Sequence, residues 1–244
     1  VSDPWTLPSP VVGSHLRGGG NVLTLTPAPR YPLVLRNTRM LHAMLSDRFP
    51  RPHGRSAAWS LVPMDRGAVP LGWGVLWTDG ADAVRVAGAS QTVHLGGRPH
   101  RLHYGPVIRL RAPASLLPGR YRVRIETVTP CVASREGHHE AVIQPTERTL
   151  IPAGIALTER LGLPAECLMA EHVTADTRRK VTHTGGHLQR GSARPGEVMG
   201  YVGTVTAVCN APLAWLLWCA ESLGLGGCVA YGFGRVRVEV QRVD

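Results

Sequence analysis

The chain has 244 residues, room for one large domain or two small ones at roughly 150 residues per domain, which excludes a peptide or a disulfide-stapled miniprotein. Apolar residues make up 43% and charged residues 18%, and 28 Gly and 20 Pro punctuate the chain, which argues against long helical bundles and coiled coils. Lys plus Arg number 27 against 17 Asp plus Glu, a formal charge of +10, and that surplus points to a polyanion such as a nucleic acid as partner.

In chain order, NVLTLTP from Asn21 alternates like a strand, after a GGG at Gly18 to Gly20 that reads as flexible. NTRMLHAMLSDRF from Asn37 then sets Met40, Leu41, Met44 and Leu45 at helical spacing behind the possible caps Asn37 and Thr38. From Pro50 to about Pro118, Gly and Pro break the chain into short apolar pieces, such as GWGVLW from Gly72 and ADAVRVAG from Ala81, that read as strands and irregular connections with no convincing second helix. LLPGRYRVRIETVTP supplies a turn at Pro118 and Gly119 and a clear strand, with Tyr121, Val123 and Ile125 alternating against Arg120, Arg122 and Arg124. There follow a helix from Glu147 to Leu161, a strand through His172 and Val173, another from Val198 to Val208, the helix PLAWLLWCAESLG and a final strand RVRVEV. That β-α-β-β-α-β order is the ferredoxin-like pattern. The expected fold is therefore α+β, with two ferredoxin-like units: residues 1–118, degenerate and irregular, and residues 119–244, regular and carrying a Gly-rich loop.

Lys180 is the only lysine, so 26 of the 27 cations are arginine. A GC-rich codon bias accounts for Arg over Lys but not for the excess of positive charge; guanidinium also suits RNA, because it binds phosphate bidentately and stacks on bases. The five cysteines, Cys131, Cys167, Cys209, Cys219 and Cys228, form no Cys-x-x-Cys pair, which fits a reducing compartment, and the last three read as small hydrophobes. VSDPWTLPSP lacks the charged and apolar regions of a signal peptide, and the apolar run Ala211 to Ala220 is too short to span a bilayer. A cytoplasmic protein without a membrane partner is expected.

The informative motif is GLGGCVAYGFGRVRVEV, where Gly224, Gly226, Gly227, Gly232 and Gly234 precede Arg235 and Arg237. Such a loop can expose backbone N–H groups to a phosphate and admit a nucleic-acid backbone closely, or it can be an ordinary turn. It is neither a dinucleotide fingerprint nor a Walker loop, because it follows a helix, leads into a strand and lacks Gly-Lys-Ser/Thr. Together with GEVMGYVGTVTAV and APLAWLLWCAES before it, the loop resembles the C-terminal signature of the CRISPR repeat-RNA processing endoribonucleases of the RAMP superfamily. The resemblance covers about the last half of the chain, and the Arg-rich composition makes it most similar to the version found in type IV CRISPR systems.

The resemblance implies a tandem pair of RNA-recognition-like ferredoxin folds that binds the hairpin of CRISPR repeat RNA. It implies cleavage at the hairpin's 3′ base without metal or cofactor, by attack of the RNA's own 2′-hydroxyl, to leave a 2′,3′-cyclic phosphate. It also implies retention of the mature crRNA and companion subunits of a CRISPR effector complex. That reaction needs a base, cations or N–H groups for the phosphorane, and an acid for the leaving 5′-oxygen. In the family a catalytic His sits in the loop or first helix after strand one, where His42 falls here; His42 equally reads as flanking the Leu41 and Met44 core stripe. Arg30, Tyr31, Arg36 and Arg39 add a cationic cluster that can serve the phosphorane without a His base, and His15 and Arg17 form a reserve.

For RNA binding, TADTRRKVTHTGGHLQRGSARPGE reads as a basic hairpin carrying Arg178, Arg179, Lys180, Arg190 and Arg194, or else as a solvated charged loop. The remaining histidines, His100, His103, His138, His139, His183 and His187 among them, read as surface or loop residues without a metal-binding pattern. Phe49 and Phe233 are the only phenylalanines, and Trp215 and Trp218 read as core, so recognition by hairpin shape and backbone is expected over base reading. A noncatalytic RAMP-type crRNA-binding subunit shares all these features and is the competing function.

Overall fold

The computed structural model describes residues 15–26, 45, 48–49, 59–65, 70–77, 79–95, 98–133, 144–163, 167–183, 197–229 and 232–243. The chain divides into two compact units, Leu16–Leu110 and Arg111–Val229 with Phe233–Asp244. None of the helices among the described residues is long and apolar enough to cross a membrane.

In the second unit, the strands β6 (Arg120–Thr127), β7 (Ala170–His183), β8 (Glu197–Asn210) and β9 (Val236–Arg242) form a four-stranded antiparallel sheet in the order β7-β8-β6-β9. The unit's first and third strands lie at the centre and the second and fourth flank them, which with the helices α2 (Glu147–Leu161) and α3 (Ala211–Leu223) completes the ferredoxin-like pattern. Alternation does the local work: Tyr121, Val123 and Ile125 of β6 are buried while Arg122, Arg124 and Glu126 are exposed. Helix α2 begins where the Thr146 N–H donates to the Thr149 hydroxyl and ends on Gly162 at φ 66°. Helix α3 starts at Asn210, whose side chain accepts from the Leu213 N–H, and it is apolar on nearly every side, as a buried helix must be.

The first unit contains β1 (His15–Thr26), β2 (Trp59–Asp65), β3 (Pro70–Trp77), α1 (Gly80–Val86), β4 (Ser90–Leu95) and β5 (Arg98–Arg111), with the sheet order β2-β3-β1-β5-β4. Its first and third strands are again central, and β4 is an added edge strand. The core gathers Leu23, Leu61, Val75, Trp59, Trp77 and Leu102, and Leu45 of the predicted helical stripe is fully buried among them. The Phe49 N–H donates to the Leu45 carbonyl at 2.8 Å, a helical i to i−4 bond.

Three expectations change here. ADAVRVAG, read as a strand, is helix α1: Asp79 accepts from the Ala81 N–H at 2.9 Å, and Ala83 and Val86 turn inward three residues apart. The unit therefore has the second helix that its sequence hides. The GGG of Gly18 to Gly20, read as flexible, lies within β1, because a Cβ on Gly19 would sit 3.0 Å from that of Ala83 and one on Gly20 would sit 2.9 Å from Leu76. Glycine lets α1 and β3 approach this strand. His100, read as a surface residue, is buried on β5 at 6% exposure.

A buried polar hub completes the first unit. Asn21, 1% exposed, accepts from the Trp77 indole N–H at 2.9 Å and donates to the carbonyls of Ala83 and Gly105 at 3.2 and 3.0 Å. One side chain thereby ties β1 to β3, α1 and β5, and its amide is satisfied by partners at both ends.

Candidate nucleic-acid interface

The second unit carries the two features singled out in the sequence, a basic hairpin and a glycine loop. Strands β7 and β8 are 14 residues each, but β6 pairs with β8 only from Thr204 to Asn210. The segments Thr177–His183 and Glu197–Gly203 thus continue as a two-stranded ribbon, held on its β8 side by reciprocal N–H to carbonyl bonds of 2.9 Å between Tyr201 and Cys131. Arg178, Arg179 and Lys180 are all exposed on this ribbon. Strand alternation splits them: Arg178 and Lys180 lie opposite Val202 and Gly200 on one face, and Arg179 lies opposite Tyr201 on the other. Arg190 and Arg194 lie outside the described residues.

The face with Arg178 continues over the sheet as Asp176, Thr204, Thr206, Arg122, Arg124, Glu126, Arg237 and Glu239, whose register positions align, so acids alternate with the arginines there. Arg124 reaches both Glu239 oxygens only at 3.4 Å, and Arg120 pairs with Glu171 at 2.6 Å. These positions hold no aromatic ring. Phe233 and Trp215 are buried, at 1% and 7% exposure, so neither offers a face for stacking on a base. The aligned sheet positions present charges and hydroxyls rather than rings.

The glycine loop presents fewer free amides than its sequence leads one to expect. The N–H groups of Gly224, Gly227 and Gly234 donate to the carbonyls of Ala220, Val132 and Pro130 at 2.7, 2.7 and 2.9 Å. At Gly226 and Gly234, with φ of 80° and 72°, a Cβ would overlap the carbonyl oxygens of Val132 and Leu225. Glycine is thus required there by close backbone packing and by left-handed torsions. Arg235, expected to meet RNA, turns its guanidinium back to the Glu221 carbonyl at 2.7 Å, at the end of α3, and its own N–H donates to the Thr129 hydroxyl. Gly232 is buried in the same loop.

A second arginine, which no sequence motif marks, organises this loop. Arg160 in the last turn of α2 donates through Nη1 to the carbonyls of Leu223 and Gly224 at 3.3 and 3.0 Å, and through Nη2 to Gly226 at 2.9 Å. Burial pushes its pKa down from the ordinary guanidinium value, opposed by the neighbouring Glu159 carboxylate. The only local signal was a cation in a last helical turn, which accounts for its own helix's dipole and not for partners some 63 to 66 positions away. Between α2 and the loop lies a cavity of about 220 Å³, lined by Thr149, Ala153, Ala156, Cys131, Tyr201 and Gly226 among others. Burial raises the Cys131 thiol to about 12 and the Tyr201 phenol well above its usual range, which keeps both protonated at neutral pH.

Of the remaining predicted site residues, Arg30, Tyr31, Arg36, Arg39 and His42 lie outside the described residues. Arg17 falls on β1.

No protein-family model matches the sequence, and no curated protein matches it either. Solved structures do. A Thermus thermophilus Cas6 covers 93% of this chain and 100% of its own at 15% identity and a TM-score of 0.56, and a Cas6 product complex gives the same identity and coverage with a TM-score of 0.59. The chain has the Cas6 fold. A Cas6-related protein from Pyrococcus furiosus agrees, with 12% identity, 92% and 98% coverage and a TM-score of 0.51. The likeness to Cas6 spans both units of the chain, whereas the sequence resemblance was carried mainly by the second.

Proposed function

We propose that the chain binds the hairpin of CRISPR repeat RNA and cuts it at the 3′ base, acting as a metal-independent endoribonuclease that makes mature crRNA. The observation that carries this reading is a Cas6-like fold of two ferredoxin-like units, the second with a two-stranded ribbon on which Arg178, Arg179 and Lys180 are exposed. A-form RNA is met through its backbone and shape, and a cationic ribbon beside an arginine-bearing face suits that mode.

In this reading Arg178, Arg179 and Lys180, with Arg190 and Arg194 beyond them, track phosphates of the stem. In the glycine loop, the half-buried Gly226 and Gly227 are the positions where the RNA backbone can approach closely. His42 takes the proton of the 2′-hydroxyl, and Arg30, Arg36 and Arg39 with Tyr31 stabilise the charged phosphorane and orient the attacking oxygen. The 2′-oxygen forms a bond to phosphorus as the bond to the 5′-oxygen breaks, leaving a 2′,3′-cyclic phosphate and, after protonation, a 5′-hydroxyl. The product crRNA stays bound and other effector subunits assemble on it.

The deciding test is incubation with a labelled repeat hairpin in excess EDTA, beside the same RNA carrying single 2′-deoxy substitutions. Cleavage in EDTA that disappears with one 2′-deoxy nucleotide is the expected result. Tight binding with no cleavage of any hairpin would instead make the chain a noncatalytic crRNA-binding subunit, and absence of hairpin-specific binding would reject both readings.

A further inference from the structure

A cavity lies between the glycine loop and α2, and Arg160, one of its lining residues, reaches from the helix to the loop. Its guanidinium is the only group among the described residues that ties three carbonyls of the segment Leu223–Gly226 to another helix. These carbonyls belong to the last residue of α3 and the first loop residues, where no helical N–H remains to donate to them. The fixed fork of a guanidinium can address three oxygens at once, and an ammonium on a flexible stem cannot do so with the same geometry. The opposite side of the loop is pinned by Gly227 and Gly234 donating to Val132 and Pro130. With both anchors in place the loop is ordered before any ligand arrives, and ordering a segment on binding costs affinity.

We infer that Arg160 is a positioning residue that holds the glycine loop in the shape in which it receives RNA, an inference that rests on the function proposed above. Its guanidinium hydrogen bonds go to the loop carbonyls, so its contribution passes through the loop. Arg160→Lys retains the charge and removes the fork. Leu157→Ala, three residues earlier on the buried side of the same helix, weakens packing and leaves the Arg160 hydrogen bonds to the loop in place.

The experiment compares wild type, Arg160→Lys and Leu157→Ala at a temperature where circular dichroism shows all three folded. It reads amide exchange at Gly227 and Gly234 and the dissociation constant for a labelled repeat hairpin. In Arg160→Lys, exchange at both glycines speeds up and the dissociation constant rises about tenfold, the loss that follows when a pre-ordered loop must be ordered on binding. In Leu157→Ala the melting temperature falls while loop exchange and affinity stay within twofold of wild type. If lysine unfolds the unit, Arg160→Gln, which keeps an amide donor, carries the same contrast. Equal exchange and affinity in wild type and the Arg160 variant, or an equal loss in Leu157→Ala, overturns the positioning role alone. A wild-type protein that does not retain the hairpin overturns the proposed function and this inference with it.

Discussion

The two units build one strand order from different materials. The second unit relies on periodicity: β6 and β9 alternate apolar and charged residues, α3 is apolar from Ala211 to Ala220, and caps mark the helix ends. The first unit relies on close approach and one polar hub, with glycines in β1 admitting α1 and β3 and with Asn21 joining four elements. Periodic side chains specify a fold through many small and replaceable burial contributions, whereas the hub and the glycine contacts concentrate specificity in a few positions. Within the second unit, the glycine loop repeats the concentrated strategy.

That contrast is sharpest where a single atom is added or removed. Gly234→Ala places a Cβ against the Leu225 carbonyl at a positive φ and is expected to cost about 3 kcal/mol in denaturant unfolding. A loss below about 1 kcal/mol would show that the loop can shift, and would weaken the role given to its anchors. Asn21→Ala leaves the Trp77 indole N–H and the carbonyls of Ala83 and Gly105 without this partner, an expected loss of about 2–3 kcal/mol. Replacing the exposed Val84 by Ala in the same unit should change stability by less than about 0.5 kcal/mol.

The ribbon should behave in the opposite manner. Changing Arg178, Arg179 and Lys180 together to Ala should leave unfolding free energy within about 0.5 kcal/mol of wild type, since all three are exposed. The slope of log affinity against log salt should flatten by roughly 2 to 3, about 0.7 to 0.9 for each phosphate that is no longer neutralised. An unchanged slope removes the ribbon from the RNA interface.

The smallest effects concern protons. In the second unit, burial raises the thiols of Cys131 and Cys209 to about 12 from an ordinary value of 9.0, and in the first it raises the phenol of Tyr104 to about 12 from 10.0. A raised folded-state pKa means stability that is complete below the unfolded pKa and is lost as pH rises toward the folded one. Unfolding measured against pH should therefore weaken the second unit from about pH 9 and the first from about pH 10. In a thiol-alkylation assay at neutral pH, exposed Cys167 should react first, and buried Cys131, Cys209 and Cys219 should be protected.

Much of the second unit was legible because its signals are short-range. The bounds Glu147–Leu161 follow from the helical pattern and the Gly162 stop, and the strand at Tyr121 from strict alternation. The bulge in β7 between Glu171 and Thr174, with His172 at φ 52°, was not legible, because a bulge is set by the partner strand's register. In the first unit, ADAVRVAG supports either a strand or a one-to-two-turn helix, and seven residues are too few for periodicity to choose. The Asp79 cap and the space made by Gly19 decide for the helix.

By itself the sequence determined the charge surplus, the arginine excess, the regular ferredoxin-like second unit and the resemblance that pointed to repeat RNA. It could do so because composition, alternation and capping act between residues a few positions apart. Only the tertiary structure decided that the GGG segment is a strand, that Asn21 is a hub, that Arg160 turns inward to the glycine loop and that Arg235 turns back to the end of α3. Each of these depends on a partner from 13 to 84 positions away, brought near by sheet order and helix packing, and no local pattern records which carbonyl a guanidinium will find.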